Sequence, residues 1–465
     1  MNNLDDMIQT VCELIKIPSV SDENKVEEGM PFGKDCDKAL KYALDLGNKM
    51  GFRTKNVDGY CGYIEFGEGE ELLGIIGHLD VVPADEADWT VTNPFEPKVV
   101  DGKIYGRGAI DDKGPVTAAL YAMKEVKDTV KLNKRVRLIL GLNEEKEWKC
   151  INYYRKNEEY PSIGFSPDAD FPCIYAEKGI INVFIEAPLN NQEKIIIKNI
   201  DYKNNAMNVV PKYCDCELEV ADNTIQKRVI DIINEITEKN KSKVEIEKID
   251  ETHIKIISYG ISAHAAHPES GENAITTILQ ILGKIYQELE LENQLLEFFG
   301  KYLNTDYNGN LLDINKKDES GELTLNIARL ILNKEEQTIK IGMNLRIPVN
   351  TPIDFIEEKF LEKQEKFQAL KISFANKMKP LYIPKDSKLV TTLTNIFNEI
   401  TGKNEEPITI GGATYARAFP NCVSFGANLP GQKDLCHQAD EFISIDNLIL
   451  SAKIYAEAMR HLGQS

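Results

Sequence analysis

Two short apolar runs, Leu72–Ile76 and Val136–Leu140, bracket a stretch of helical pattern from Pro115 to Lys127. Strands that are apolar at consecutive positions are covered on both faces, and a helix between two of them marks a parallel crossover. Proline near the first helical turn fits, because the N–H it lacks would have no partner there. The fold class expected is therefore α/β, with a substantially parallel sheet. Open sheets of this kind form their sites beyond the carboxyl ends of the strands. Polar residues cluster at those points, in Gly77-His78-Leu79-Asp80 and in Asn143-Glu144-Glu145.

The remaining pattern divides the chain. Asp5–Ile15 and Ala39–Met50 carry apolar residues at helical spacing, the second ending at Gly51. From about Ile181 the composition turns rich in Lys, Glu and Asn, with alternating strand pattern over Thr338–Arg346 and helical pattern over Asn273–Leu291. This reads as a second, α+β domain. Near Ile383 the first character returns, with a capped helix over Asp386–Ile400, an apolar strand around Val423–Phe425 and an amphipathic helix over Asp446–Leu462. A length of 465 residues favours more than one domain.

The formal charge of -19 excludes the basic clusters that grip phosphate backbones, so no nucleic-acid partner is expected. The start of the chain is acidic, and no stretch approaches the roughly 20 apolar residues of a membrane span. No membrane partner is expected either, and the reading is a soluble cytoplasmic protein. Nine cysteines at irregular spacing do not form a disulfide framework. Cys214-x-Cys216 lacks the second pair that a structural zinc site requires and reads as ordinary strand.

Histidine is scarce, with six in the chain, and two of them stand in polar company. His78 lies in Gly-His-Leu-Asp, where Asp80 is placed to fix the imidazole's tautomer as carboxylates do for metal-bound histidines. His437 lies in Cys-His-Gln-Ala-Asp. Two acids, Asp111 and Asp112, meet at a helix entrance after Gly-Arg-Gly, where helix capping is the ordinary reading. Glu144 and Glu145 follow a buried strand, where extended backbone turns neighbouring side chains apart; a solvated charge run is the ordinary reading. Asp168, in Ser-Pro-Asp-Ala-Asp, is by itself a turn signal.

Taken in order, His78-x-Asp80, Gly-Arg-Gly-x-x-Asp111-Asp112-Lys-Gly, Glu144-Glu145, Asp168 and His437 resemble the dinuclear zinc exopeptidases that include carnosinase, acetylornithine deacetylase and the aminoacylases. Ser262-Ala263-His264, Pro268 to Ala274, and Gly411-Gly412-Ala-Thr-Tyr415-Ala-Arg417 extend the likeness over essentially the whole chain. Within that family the sequence is most similar to PepV-type dipeptidases of bacteria. The stretches Gly164 to Asp168, Trp148-Lys-Cys150, Asn208-Val-Val-Pro211 and Gly342-Met-Asn-Leu-Arg346 carry that likeness. Asn143, where many relatives have an acid, and Lys146-Glu147, where small residues are usual, depart from the pattern.

The resemblance implies a catalytic domain of residues 1–182 and 383–465, with a mixed, largely parallel sheet, and an inserted α+β lid of 183–382. It implies a monomer, because the enlarged lid supplies what smaller-lidded relatives obtain by dimerising. It also implies two divalent metal ions, with zinc expected and manganese or cobalt compatible with carboxylate-rich donors. His78, Asp111 and Asp168 would hold one ion, and Asp111, Glu145 and His437 the other. Glu144 would act as general base and Asp80 as the partner of His78. A cis peptide is implied between Asp111 and Asp112. His264, with His267 as second choice, would stabilise the oxyanion from the lid. Arg346 would clamp a substrate carboxylate, with Asn208 and the Gly411-Gly412 loop nearby, although an isolated strand arginine ordinarily faces solvent.

The activity expected is hydrolysis of dipeptides, β-alanyl dipeptides within that class. The alternative enzyme is an N-acyl-amino-acid deacylase on the same dinuclear site. A catalytically silent binding protein would lack a ligand or the base, and none is missing.

Overall fold

The computed structural model describes residues 4–189, 194–203 and 206–464. Its contacts divide the chain into two compact units, Met1–Ala176 with Leu381–Ser465, and Glu177–Pro380.

The first unit is built on a sheet that, among the described residues, has nine strands. Its centre is parallel. Leu72–His78 runs between Arg135–Gly141 and Ile163–Ser166, and Cys422–Ser424 adds alongside the latter in the same direction. Antiparallel strands close the edges, Arg53–Val57 against Cys61–Phe66 and the latter against Arg135–Gly141. The central strand is buried at every position, as its apolar run requires, and each Leu or Ile side chain removed from water there contributes about 1.5–3 kcal/mol.

The helices fall where the periodicity places them: Leu4–Ile15, Lys34–Lys49, Lys113–Thr129, Lys388–Thr401 and Ile445–Gln464. Lys113–Thr129 is buried from Lys113 through Met123, and small residues at Ala118, Ala119 and Ala122 let it lie close to the sheet and to Ile445–Gln464. Two glycines are demanded by close approach. A Cβ at Gly77 would fall 2.5 Å from an Asp112 carboxylate oxygen, and one at Gly141 would fall 2.4 Å from the Tyr415 ring.

The second unit has two antiparallel four-stranded sheets. One runs in the order Thr324–Asn333, Thr338–Ile347, Gly179–Pro188, Lys371–Met378, and the other joins Ile195–Asp201, Tyr213–Val220, His253–Tyr259 and Lys243–Lys248. Helices Asn223–Asn240 and Ala274–Glu288 share a core with them through Val229, Ile232, Ile278 and Leu282. Gly179–Pro188 crosses the boundary expected at residue 182. Its pairing with Thr338–Ile347 over its full length keeps the whole strand in the second unit. No helix among the described residues is long and apolar enough to cross a membrane.

Candidate active site

Five donors converge at the carboxyl ends of the parallel strands. His78 is the last residue of the central strand, Glu145 follows Arg135–Gly141, Asp168 follows Ile163–Ser166, and Asp111 stands just before the helix Lys113–Thr129. His437 comes from a stretch between Asn428 and Phe442 that has neither helix nor strand.

Their atoms form two groups that share Asp111. The His78 Nε2 atom is 3.1 Å from Asp111 Oδ1 and 3.5 Å from Asp168 Oδ2. The His437 Nε2 atom is 3.1 Å from Asp111 Oδ2 and 3.0 Å from Glu145 Oε2. One carboxylate oxygen of Asp111 therefore faces each histidine. Within each group the donor atoms all lie within 4.8 Å of one another. A cation about 2.0–2.2 Å from imidazole nitrogen and carboxylate oxygen sets its donors roughly 3–3.5 Å apart when tetrahedral, so the spacing fits a divalent ion in each group.

The electrostatics also favour a cation. Burial and the Asp111 carboxylate push Glu145 up to about 7 against the opposing His437. Burial, only partly offset by His78, raises Asp168 to about 6. The histidines respond in the opposite sense. Burial alone would lower His437, but Glu145 and Asp111 outweigh it and raise the ring to about 12. His78 likewise rises well above the ordinary imidazole range, through Asp168 and Asp111 against its burial. Such a set of buried acids and bases compensates its charge either with protons or with metal.

Asp80 does more than its sequence position suggests. Its carboxylate accepts the backbone N–H of Glu144 (3.1 Å) and of Glu145 (3.2 Å), and so sets both side chains. Nδ1 of His78 lies 2.8 Å from the Asp80 carbonyl oxygen and 3.5 Å from its carboxylate. The tautomer is thus fixed through the main chain of Asp80, because its carboxylate is taken by the two amides. Glu144 is pushed well above the carboxylate range by burial, and by Asp168, Glu145 and Asp80 against the opposing His78. The Asp111–Asp112 peptide is cis. Asp112 accepts the His78 backbone N–H at 3.1 Å.

Asn143, the departure from the family pattern, is fully buried and hydrogen-bonded on both sides of its amide. It donates to Ser21 Oγ (2.9 Å) and accepts from the Lys149 N–H (3.0 Å), tying the Glu pair to the next helix. Arg107 and Tyr415 stand in stretches that carry the family likeness but have no role of their own at the level of sequence, nor has Glu441; the structure places all three beside the donors. Tyr415 stacks edge-on against the His78 ring, with centroids 6.3 Å apart.

The other predicted residues lie elsewhere. Gly411-Gly412 follows the strand Ile408–Ile410 in the first unit, where the Gly412 carbonyl accepts from Arg417. Asn208, His264 and Arg346 belong to the second unit. Asn208 and His264 are neighbours there, through the Val209–His264 bridge and a 2.8 Å hydrogen bond from Ala265 N–H to the Asn208 carbonyl. Arg346 does not face solvent: it is 4% exposed, with Nε donating to Asn344 Oδ1 at 2.8 Å. Asn344 in turn donates to Asn182 Oδ1 at 2.7 Å. His267 is largely exposed beside Glu269.

Residues 74–461 match the description of peptidase family M20/M25/M40. The chain belongs to that family and is a peptidase. It is similar to a Bacillus subtilis protein named "Putative dipeptidase YtjP", with 38% identity over 99% of this chain and 98% of the relative. A Staphylococcus epidermidis protein named "Putative dipeptidase" is 34% identical over 97% of this chain and 96% of its own. Among solved structures, human carnosine dipeptidase 1 shares the fold, with a TM-score of 0.59 at 16% identity over 100% of this chain and 97% of that one.

Proposed function

We propose that this peptidase hydrolyses dipeptides with two divalent cations, zinc foremost and manganese or cobalt as substitutes. The observation that carries this reading is the pair of donor groups sharing Asp111, one oxygen to each histidine. His78, Asp111 and Asp168 would hold one cation and Asp111, Glu145 and His437 the other, and such cations would supply Lewis acidity to polarise the scissile carbonyl and lower the pKa of the attacking water.

The chain's own residues do the rest. Glu144 would accept a proton from the attacking water and pass it to the leaving amine. Asp80 holds Glu144 and Glu145 in register through their amides. As the family resemblance implies, His264 would donate to the oxyanion and Arg346 would grip the substrate carboxylate, with Asn208 and Gly411-Gly412 as further substrate-binding residues. Such a clamp measures length: a longer peptide cannot set its carboxylate on Arg346 and its first peptide bond at the cations together. All nine cysteines are free, which supports the reading of a cytoplasmic enzyme, and the large second unit supports a monomer.

The test is a metal-supplemented panel of an Ala-containing dipeptide, a tripeptide and an N-acetyl amino acid. The dipeptide should be cleaved fastest, chelation should abolish cleavage, and Zn²⁺ or Mn²⁺ should restore it. Full activity at nil metal content would overturn the cation reading, and faster cleavage of the acylated amino acid the dipeptide reading.

A further inference from the structure

Glu441 and Arg107 have no role in the chemistry above, yet they join the two segments that bring Asp111 and His437 together. Glu441 is fully buried. One of its carboxylate oxygens accepts from Arg107 Nη1 (2.6 Å) and the Gly108 N–H (3.1 Å). The other accepts from the N–H groups of Ile110 (2.9 Å) and Asp111 (3.2 Å). Its acceptor capacity of about four is therefore filled by the loop that ends in Asp111. Arg107 completes the link, because its second terminal nitrogen donates to the His437 carbonyl at 3.2 Å.

The two ends of this link are not equally supported from elsewhere. The Asp111 segment is also fixed through Asp112, which accepts the His78 N–H, and through the helix that begins at Lys113. His437 sits outside any helix or strand, at φ 65°, in the left-handed region that a non-glycine residue occupies only when it is held there. Beside it, Cys436 N–H donates to Asp434 Oδ1 (2.9 Å) and Gln438 N–H to the Leu435 carbonyl (3.1 Å), both within the same stretch. Asp440 accepts from Thr90 and Val91, and the stretch is tied to Tyr105–Gly106 only after His437, through Gly106 N–H to the Glu441 carbonyl and the Phe442–Tyr105 pairing.

We infer that Glu441 and Arg107 form a positioning latch that sets the His437-to-Asp111 spacing, and with it the affinity of the cation position made by Asp111, Glu145 and His437. The inference rests on the two-cation reading above. The latch residues touch neither cation nor substrate and act through the backbone of the two donors. Glu441→Gln keeps the shape but replaces an acceptor with an NH₂ that faces N–H donors. Arg107→Lys keeps the charge but loses the fork that reaches Glu441 and His437 together.

The experiment titrates Zn²⁺ into the metal-stripped full-length chain against a fluorescent chelator, resolving two binding steps, with thermal melts in parallel. In Glu441→Gln one of the two steps should lose about 10- to 100-fold in affinity while the other stays at its wild-type value. Arg107→Lys should show a smaller loss confined to the same step, and it carries the test if Glu441→Gln does not fold. Both steps at wild-type values in the variants, or both weakened in parallel with a lowered melting temperature, would overturn the latch. A wild-type chain that binds fewer than two ions would overturn the latch together with the two-cation reading. Two ions in the wild type with indistinguishable variants would overturn the latch alone.

Discussion

The metal-donor cluster of the first unit and the substrate-binding candidates of the second are held by different means. In the first, buried carboxylates grip backbone amides: Asp80 takes those of Glu144 and Glu145, Asp112 that of His78, and Glu441 those of Ile110 and Asp111. In the second, side-chain amides do the holding. Asn182 and Asn344 support Arg346, and Asn326 donates to the Val209 carbonyl beside Asn208. Charged acceptors on main-chain donors form the stronger and more rigid bonds, which suits donors whose spacing must meet a cation. Asn344, held by Asn182, fixes the orientation of the Arg346 guanidinium through its Nε. The difference separates a region built for spacing from one built for recognition.

Substitutions in the two regions should therefore fail differently. Asp111→Ala removes the donor common to both groups and should abolish both metal uptake and activity, as read by metal analysis and a dipeptide assay. Glu144→Gln should lower kcat by about 10²- to 10⁴-fold with metal content near normal. Turnover close to wild type would remove Glu144 from the role of base. In the second unit, His264→Ala should lower kcat by about 10²- to 10³-fold with less change in KM, because an oxyanion donor acts in the transition state. An unchanged kcat would point to His267. Arg346→Ala should cost about 10- to 100-fold in kcat/KM with metal content untouched, the worth of a hydrogen bond to a charged group. Equal cleavage by the wild type of a dipeptide and its C-terminal amide would contradict the clamp.

A further effect is expected with pH. His78 and His437 hold protons well above the ordinary imidazole range and Glu145 up to about 7, so these protons must leave when a cation binds. Metal affinity should then tighten as pH rises from 5.5 to 8, by about tenfold per unit for each proton released. Calorimetry in buffers of different ionisation enthalpy counts the protons. An affinity independent of pH would contradict the assigned donors.

His78 and Glu144-Glu145 were legible because each follows an apolar run that places it at a strand end, whereas Asp111, Asp168 and His437 carry no such signal and were legible as donors only through the family resemblance. The antiparallel edges of the sheet were not, since Arg53–Val57 and Cys61–Phe66 carry no long apolar run. Glu441 was invisible for another reason. It looks like one more acid in a polar loop, and its partner Arg107 lies 334 residues away. Asp80 was read as a partner of the His78 ring, whereas its carboxylate is occupied by two amides whose approach depends on the turn after Gly141. Arg346 could not be told from a surface arginine until its strand was seen to be covered on both faces.

The central claim is that Asp111 serves two cation positions at once. Metal content per chain, measured by mass spectrometry on the reconstituted wild type alongside its dipeptidase activity, tests it most directly. Two ions per chain, with activity appearing only as the second is taken up, is the result expected. Full activity with one ion per chain, or with none, would contradict it.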